Sequence, residues 1–310
     1  MLTCFQPVMH ILLLLLPPQQ QPPIDSITAL ITAGKMQEAL RAVKTLDPAL
    51  PQTAHLTGVI NFNLHNYKDA IVDFEQALRG ETKDSPAWRE SSQLLGRSLY
   101  LTGRTADALP SLENAWKLGE RGPDLLYMLG NAYIDKQNPN GARFAFADLY
   151  GLDRNAAAAY LLTAKMMQRR NARDLAAKQL EFAILADPKL PGAHYEAALS
   201  AIARADSATA LAQLAKELEL EPDHAPSYAL MGEILLQNGK LDASIDALRR
   251  SVWLNPYQTG PYLLLGQAYL QKSDLVNAEG VLRRAAKGDP DNLQCRELLA
   301  KVLALKSASR

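Results

Sequence analysis

The chain has 310 residues, more than one ordinary compact core needs, so either two globular domains or one elongated repeat array is expected. Lys plus Arg and Asp plus Glu are both 33, and this zero balance gives no global signal for nucleic acid or anionic lipid. Aromatic residues make up only 6 % while Ala and Leu are abundant, which favours helix over sheet.

Residues 1–23 differ from the rest. The stretch 8–16 is apolar apart from His10, and prolines and glutamines follow it. The run is too short to span a bilayer but suits the apolar segment of a secretory signal. Against that reading, no Lys or Arg precedes the run, no small-x-small cleavage site follows it, and Cys4 lies before it rather than after it. The expectation is a signal-like leader with a Pro/Gln-rich linker, starting at Met1 or Met9, on a periplasmic or secreted protein. The alternative is a cytoplasmic protein with a disordered apolar tail. Cys4 and Cys295 stand at opposite ends, so a disulfide framework is excluded.

From residue 24 onward the chain repeats itself. Residues 24–50 read as a short, degenerate helix pair with Gly34, Ala39 and Asp47-Pro48 recognisable. Units of 34 residues follow at 51–84, 89–122, 123–156, 157–190, 191–224, 225–258 and 259–292, with 85–88 as an insertion. Pro188, Pro222, Pro256 and Pro290 are spaced by 34. So are the small residues Gly96, Gly130, Ala164, Ala198, Gly232 and Gly266, a second small column from Ala108 to Ala278, and a bulky column from Leu112 to Leu282.

Within 225–258, Tyr228, Met231, Leu235 and Leu236 form the apolar stripe of a first helix, which Gly239 ends. Ala243, Ile245, Leu248 and Val252 stripe a second helix, and Pro256 blocks its continuation. Gly232 and Ser244 are placed where the two helices come close. Residues 293–306 read as one more amphipathic helix, so 293–310 is a capping helix and tail. Departures are visible too. Glu120 and Arg154 replace the proline, Glu217 and Ser251 replace the small residue of Ala183 and Ala285, and Asn61 stands in an apolar column.

Tyr262, Leu265, Gly266, Tyr269, Ala278, Leu282, Ala285 and Pro290 occur in an order that resembles the tetratricopeptide repeat signature. The resemblance implies an all-α fold, a right-handed superhelical solenoid of helix pairs with a C-terminal capping helix. It also implies a concave groove lined by the first helix of each pair, used to hold a peptide or protein.

Catalytic signatures are missing: no phosphate-binding glycine loop, no His-Glu-x-x-His, no Gly-x-Ser-x-Gly and no Cys-x-x-Cys. The five histidines are scattered, and His55 and His65 are poorly spaced for a metal. No catalytic, cofactor or metal site is therefore assigned, and neither nucleic acid nor a small-molecule substrate is expected. The expected function is a non-catalytic interaction scaffold. Alternatives are an assembly subunit of an envelope or secretion complex that uses its convex face, and an accessory subunit of an enzyme.

Groove candidates are first-helix residues outside the packing columns. Arg97, Asn131 and Lys165 share one column and are expected to form a polar ladder for an acidic or C-terminal carboxylate segment, with Tyr100, Tyr127 and Tyr195 nearby. The Lys/Asn/Asn/Lys/Arg clamp of the family's chaperone-tail binders is not matched, since Gln93 and Tyr127 stand in its first Lys column. Farther on the groove turns apolar with Leu199, Leu230, Leu236, Leu263, Leu264 and Leu270, edged by Glu233 and Gln267. The basic runs Arg249-Arg250 and Arg283-Arg284 read as solvated helix faces, and the acidic run Glu217, Glu219 and Glu221 interrupts any basic stripe.

Overall fold

The computed structural model describes residues 24–308. The leader and its cleavage, at residues 1–23, lie outside the described residues. The described residues divide into two compact units, 24–136 and 137–308. Among the described residues all regular structure is α-helical. The first unit contains α1 (Ile24–Thr32), α2 (Met36–Val43), α3 (Pro51–Asn63), α4 (Tyr67–Gly80), α5 (Pro86–Leu101), α6 (Thr105–Lys117) and α7 (Pro123–Asp135). The second contains α8 (Pro139–Tyr150), α9 (Ala157–Arg169), α10 (Arg173–Ala186), α11 (Ala193–Ile202), α12 (Ser207–Leu220), α13 (Ala225–Gln237), α14 (Leu241–Leu254), α15 (Thr259–Gln271), α16 (Leu275–Gly288) and α17 (Leu293–Ala308).

Consecutive helices pack as pairs, and within each unit successive pairs stack chiefly through the second helix of one on the first helix of the next, α4 on α5 and α6 on α7 in the first unit, α10 on α11 and α14 on α15 in the second, while first helices also touch, as α3 with α5 and α13 with α15. This is an all-α repeat solenoid. The pairs are antiparallel, as two buried serines show. Ser244 donates to the Gly232 carbonyl at 2.7 Å and Ser251 to the Ala225 carbonyl at 3.1 Å, so the chain runs up α13 and down α14. Ser251 therefore keeps its place in a small-residue column because its hydroxyl ties the end of α14 to the start of α13.

Small against large sets the spacing inside each pair. A Cβ placed on Gly232 would lie 2.5 Å from Leu248 Cγ, one on Gly266 2.5 Å from Leu282 Cδ2, and one on Gly58 2.7 Å from Phe74 Cε1. Phe74, Leu248 and Leu282 are fully buried. The two columns read from the sequence are thus the two sides of one repeated contact, in which the bulky residue fills the space that the glycine leaves.

Where the repeat proline is missing, glycine and side-chain pairs do its work. Gly119 just past α6 and Gly151 at the end of α8 both adopt positive φ, at 98° and 65°, a conformation that ends a helix and suits a residue without Cβ. Arg154, in the proline column, pairs with Asp148 through two hydrogen bonds of 2.9 and 2.7 Å. The buried Arg143 donates to the Arg154 carbonyl and stacks 4.2 Å over the Tyr160 ring.

The insertion at residues 85–88 falls in a helix rather than in a loop. They become the first turn of α5, which is 16 residues long, and Ser85 Oγ caps it by accepting the Trp88 N–H at 3.2 Å. The added residues lengthen a helix because Pro86 is well placed at its first turn.

The turns that follow α5, α7, α9, α11, α13 and α15 have their own period. Gly103, Gln137, Asn171, Ala205, Gly239 and Ser273 all have positive φ, and each is 34 residues from the next. At the C-terminus α17 covers the last pair, burying Cys295 and Val302 against Tyr262, Leu282 and Ala285. Lys306 of α17 pairs with Glu279 of α16 at 2.6 Å.

Candidate functional site

In the first unit the expected ladder residues are already engaged. Arg97 donates to Glu120 Oε1 at 3.0 Å, and both side chains are about three-quarters covered. Glu120 is the residue that replaces the proline, so this departure supplies an internal carboxylate for the arginine meant to meet an external one. Asn131 is only 3 % exposed. Its amide donates to Tyr100 Oη at 2.9 Å and to the Tyr127 carbonyl at 3.0 Å. Asn131 is therefore a packing residue that joins α7 to α5, not a solvent-facing rung. Tyr127 keeps an exposed ring.

In the second unit Lys165 pairs with Glu196 at 3.2 Å, linking α9 to α11. Each residue of the expected ladder thus has a complementary neighbour that a single helix pattern does not reveal.

A different set of candidates lines an open space. Tyr195 of α11, Leu230 and Glu233 of α13, and Leu264 of α15 meet around a cleft of about 300 Å³, with Pro226, Ala229 and Pro261 completing its apolar wall. These helices are the first members of three successive pairs. Gln267 does not line the cleft, and Leu236 and Leu263 are buried in the helix core. Glu233 supplies the negative charge, and Gln237 donates to it at a long 3.4 Å. Burial, and then the neighbouring Glu196 carboxylate, push the Tyr195 phenol above its ordinary range, so it stays a hydrogen-bond donor at working pH.

One wall of this cleft is held by a buried acid. Glu217 of α12 is fully buried, and its oxygens accept the Gly192 N–H at 2.7 Å and the Tyr195 N–H at 3.0 Å. Gly192 is the N-cap of α11 and Tyr195 lies in its first turn, where backbone N–H groups have no partner inside the helix. The substitution that looked like a weak unit is a cap supplied from the next helix. Glu217, Glu221 and His224 also come within 4.8 Å of one another. Glu217 is already committed to α11, and His224 Nδ1 sits 2.7 Å from Ser227 Oγ. The group is accounted for as a helix junction.

A second cluster went unseen in the sequence. Ser91 Oγ lies 2.8 Å from His55 Nδ1, and His55 Nε2 lies 3.5 Å from Glu90 Oε2. The order hydroxyl, imidazole, carboxylate is that of a hydrolase triad. Ser91 is 0 % exposed and also donates to Glu81 Oε1 at 3.3 Å, so its hydroxyl faces protein rather than a substrate space. Burial raises the Glu81 carboxyl above its usual range, while the hydrogen bond from His55 lowers that of Glu90. The cluster ties α3 to α5.

Residues 93–157 and 195–259 match the family model described as Tetratricopeptide repeat. No curated protein matches the sequence. Among solved structures, the APC/C hetero-tetramer Cut9-Hcn1 is similar at 15 % identity and a TM-score of 0.48, over 90 % of this chain and 54 % of that one. The chain thus spans about half the length of that structure. A Pseudomonas aeruginosa pilF structure is similar at 16 % identity and a TM-score of 0.47, over 69 % of this chain and 97 % of that one. MamA 41-end from Desulfovibrio magneticus RS-1 is similar at 16 % identity and a TM-score of 0.45, over 56 % of this chain and 99 % of that one. With a 34-residue period kept in the backbone itself, the two matched stretches, 93–157 and 195–259, are tetratricopeptide repeats.

Proposed function

We propose that this protein is a non-catalytic scaffold that holds a peptide or protein segment on its first helices, with the cleft between α11, α13 and α15 as a contact site. Tetratricopeptide repeats generally serve protein–protein interaction and are typically non-catalytic. The observation that carries the finer reading is the convergence of Tyr195, Leu230, Glu233 and Leu264 on one open space. Its chemistry selects an apolar side chain beside a hydrogen-bond donor or a basic group, not the acidic segment expected from Arg97 and Lys165. Tyr195 offers rigid contact area with a polar tip, the usual character of an interface anchor.

A photo-crosslinker placed at Leu230 or Leu264 in the native cell should capture the same partner from both positions. Leu230→Asp should abolish the capture, and Tyr195→Ala should weaken it by roughly tenfold, as loss of an anchoring aromatic does. Capture that survives Leu230→Asp unchanged would overturn the site. The protein is further proposed to act in the periplasm or outside the cell. N-terminal sequencing of the natural protein tests this: a chain beginning at Met1 or Met9 in the cytosolic fraction would refute it.

A further inference from the structure

Another cleft of the second unit lies mainly on the opposite members of the pairs and takes no part in the proposed site. It has a volume of about 1070 Å³, with walls from α14 and α16 and a floor from α15. Arg249, Arg250 and Trp253 project from α14, Arg284 from α16, and Tyr262 and Tyr269 from the floor. Trp253 is 70 % exposed, with the Arg250 guanidinium stacked 4.4 Å above its ring. Arg250 is neutralised by Asp223 at 2.8 Å, and Arg284 sits 5.5 Å from the Tyr262 ring centre. Arg249 and Arg284 are exposed and form no ion pair among the described residues. Two uncompensated cations therefore stand on opposite walls of one aromatic-floored space.

This is not a property of every repeat. One period earlier, Ala215, Lys216 and Glu219 occupy the places of Arg249, Arg250 and Trp253. Gly280, on the α16 wall, replaces the Asp246 of the preceding unit, and a Cβ there would meet nothing within 4 Å. The sequence thus opens the wall and adds cation and aromatic at the same inter-repeat step. The volume is slightly above the usual range of small-ligand pockets, roughly 300–1,000 Å³, which favours a chain segment.

We infer that this cleft docks an acidic peptide segment, its carboxylates on Arg249 and Arg284 and an apolar or aromatic side chain laid against Trp253 and the tyrosine floor. Arginine binds carboxylates through paired, planar hydrogen bonds, and aromatic faces supply contact area for the residues between them. Nucleic acid fits less well. Only Arg249 and Arg284 of the cleft's arginines lack an ion pair, too few cations to follow a continuous phosphate chain but enough for two carboxylates.

The test is fluorescence anisotropy with the full chain and a labelled octapeptide, Glu-Asp-Leu-Glu-Phe-Asp-Glu-Glu. Saturable binding is expected, weakened at least tenfold by the double variant R249E/R284E and less by Trp253→Ala. R249Q/R284Q, which removes charge without reversing it, should lie between, and circular dichroism confirms that each variant keeps its helices. Added salt should weaken binding, because both arginines are solvent-accessible. The L230D chain should bind as the wild type does, since Leu230 lines the other cleft. The inference is overturned by any of these results: no saturation up to about 1 mM peptide; equal binding to R249E/R284E; loss of binding in L230D, which would move the peptide to the first-helix cleft; or tighter, R249E/R284E-sensitive binding of a single-stranded RNA decamer. Self-association that is lost in R249E/R284E and outcompetes the peptide would equally reassign the surface to a second copy of this chain.

Discussion

The α5–α7 region and the α11–α13–α15 region are built from the same repeat, yet they use their first-helix residues in opposite ways. In α5–α7 polar side chains answer one another: Arg97 meets Glu120, and Asn131 meets Tyr100. In α11–α13–α15 the equivalent surface carries apolar groups and leaves a cleft between Tyr195, Leu230 and Leu264. Polar groups buried between helices must find partners, and once satisfied they rigidify the stack and are no longer available to a ligand. Apolar groups at a shallow surface carry no such demand, so open space can persist around them. A column of polar residues in a repeat protein is therefore weaker evidence of a binding surface than a column of apolar ones that the core fails to cover.

The contrast is broken most strongly by removing the acid that shapes the open region. Glu217→Ala deletes two hydrogen bonds to a charged group, each worth about 1.5 kcal/mol, and leaves two N–H groups of α11 without partners. A loss of about 3 kcal/mol is expected, read by chemical denaturation. Partner capture at Leu230 should fall with it, because Tyr195 loses its anchored position. An unchanged denaturation midpoint would mean that the carboxylate does not cap α11.

The next effect in size comes from the close contact beneath the cleft. Gly232→Leu forces a side chain into space held by Leu248, an overpacking that costs about 1–3 kcal/mol. The better helix propensity of leucine returns at most about 1 kcal/mol. Hydrogen exchange should show lost protection in α13, α14 and the helices beside them, while α5 and α6 stay protected, because each repeat touches only its neighbours. Loss spread evenly over the whole chain would reveal cooperativity beyond nearest neighbours.

The smallest effect sharpens the comparison from the polar side. Glu120→Gln removes a partly exposed ion pair and should cost less than about 1 kcal/mol. It should also convert Arg97 from an engaged to an available group. Phenylglyoxal modification followed by peptide mapping should label Arg97 faster in E120Q than in the wild type. Equal labelling would show that burial, not Glu120, protects the guanidinium.

Much of this architecture is legible in the residues. The glycine and leucine columns report a contact between side chains 16 positions apart, Gly232 with Leu248 and Gly266 with Leu282, and local periodicity carries that information directly. What periodicity cannot carry is the identity of partners across repeats. Glu217 looks like a defect because its donors lie on another helix. Asn131 looks solvent-facing because Tyr100, 31 residues earlier, is invisible in its own pattern. Arg249 and Arg284 look like solvated face residues until α14 and α16 are placed on either side of the tyrosine floor. The extra turn of α5 was hidden for a simpler reason: an insertion changes the count in the same way whether it lengthens a loop or a helix.

The positive-φ joint that recurs at Gly103, Gln137, Asn171, Ala205, Gly239 and Ser273 has a practical meaning. A residue with a Cβ pays roughly 1–2 kcal/mol to sit there, yet Gln137, Ala205 and Ser273 do so. The two helices on either side dictate the bend, and the residue at its apex complies. Joints governed from outside are interchangeable parts. Whole 34-residue modules respliced at such apices within one unit are expected to keep the turn that the flanking helices set, whatever amino acid stands at the seam.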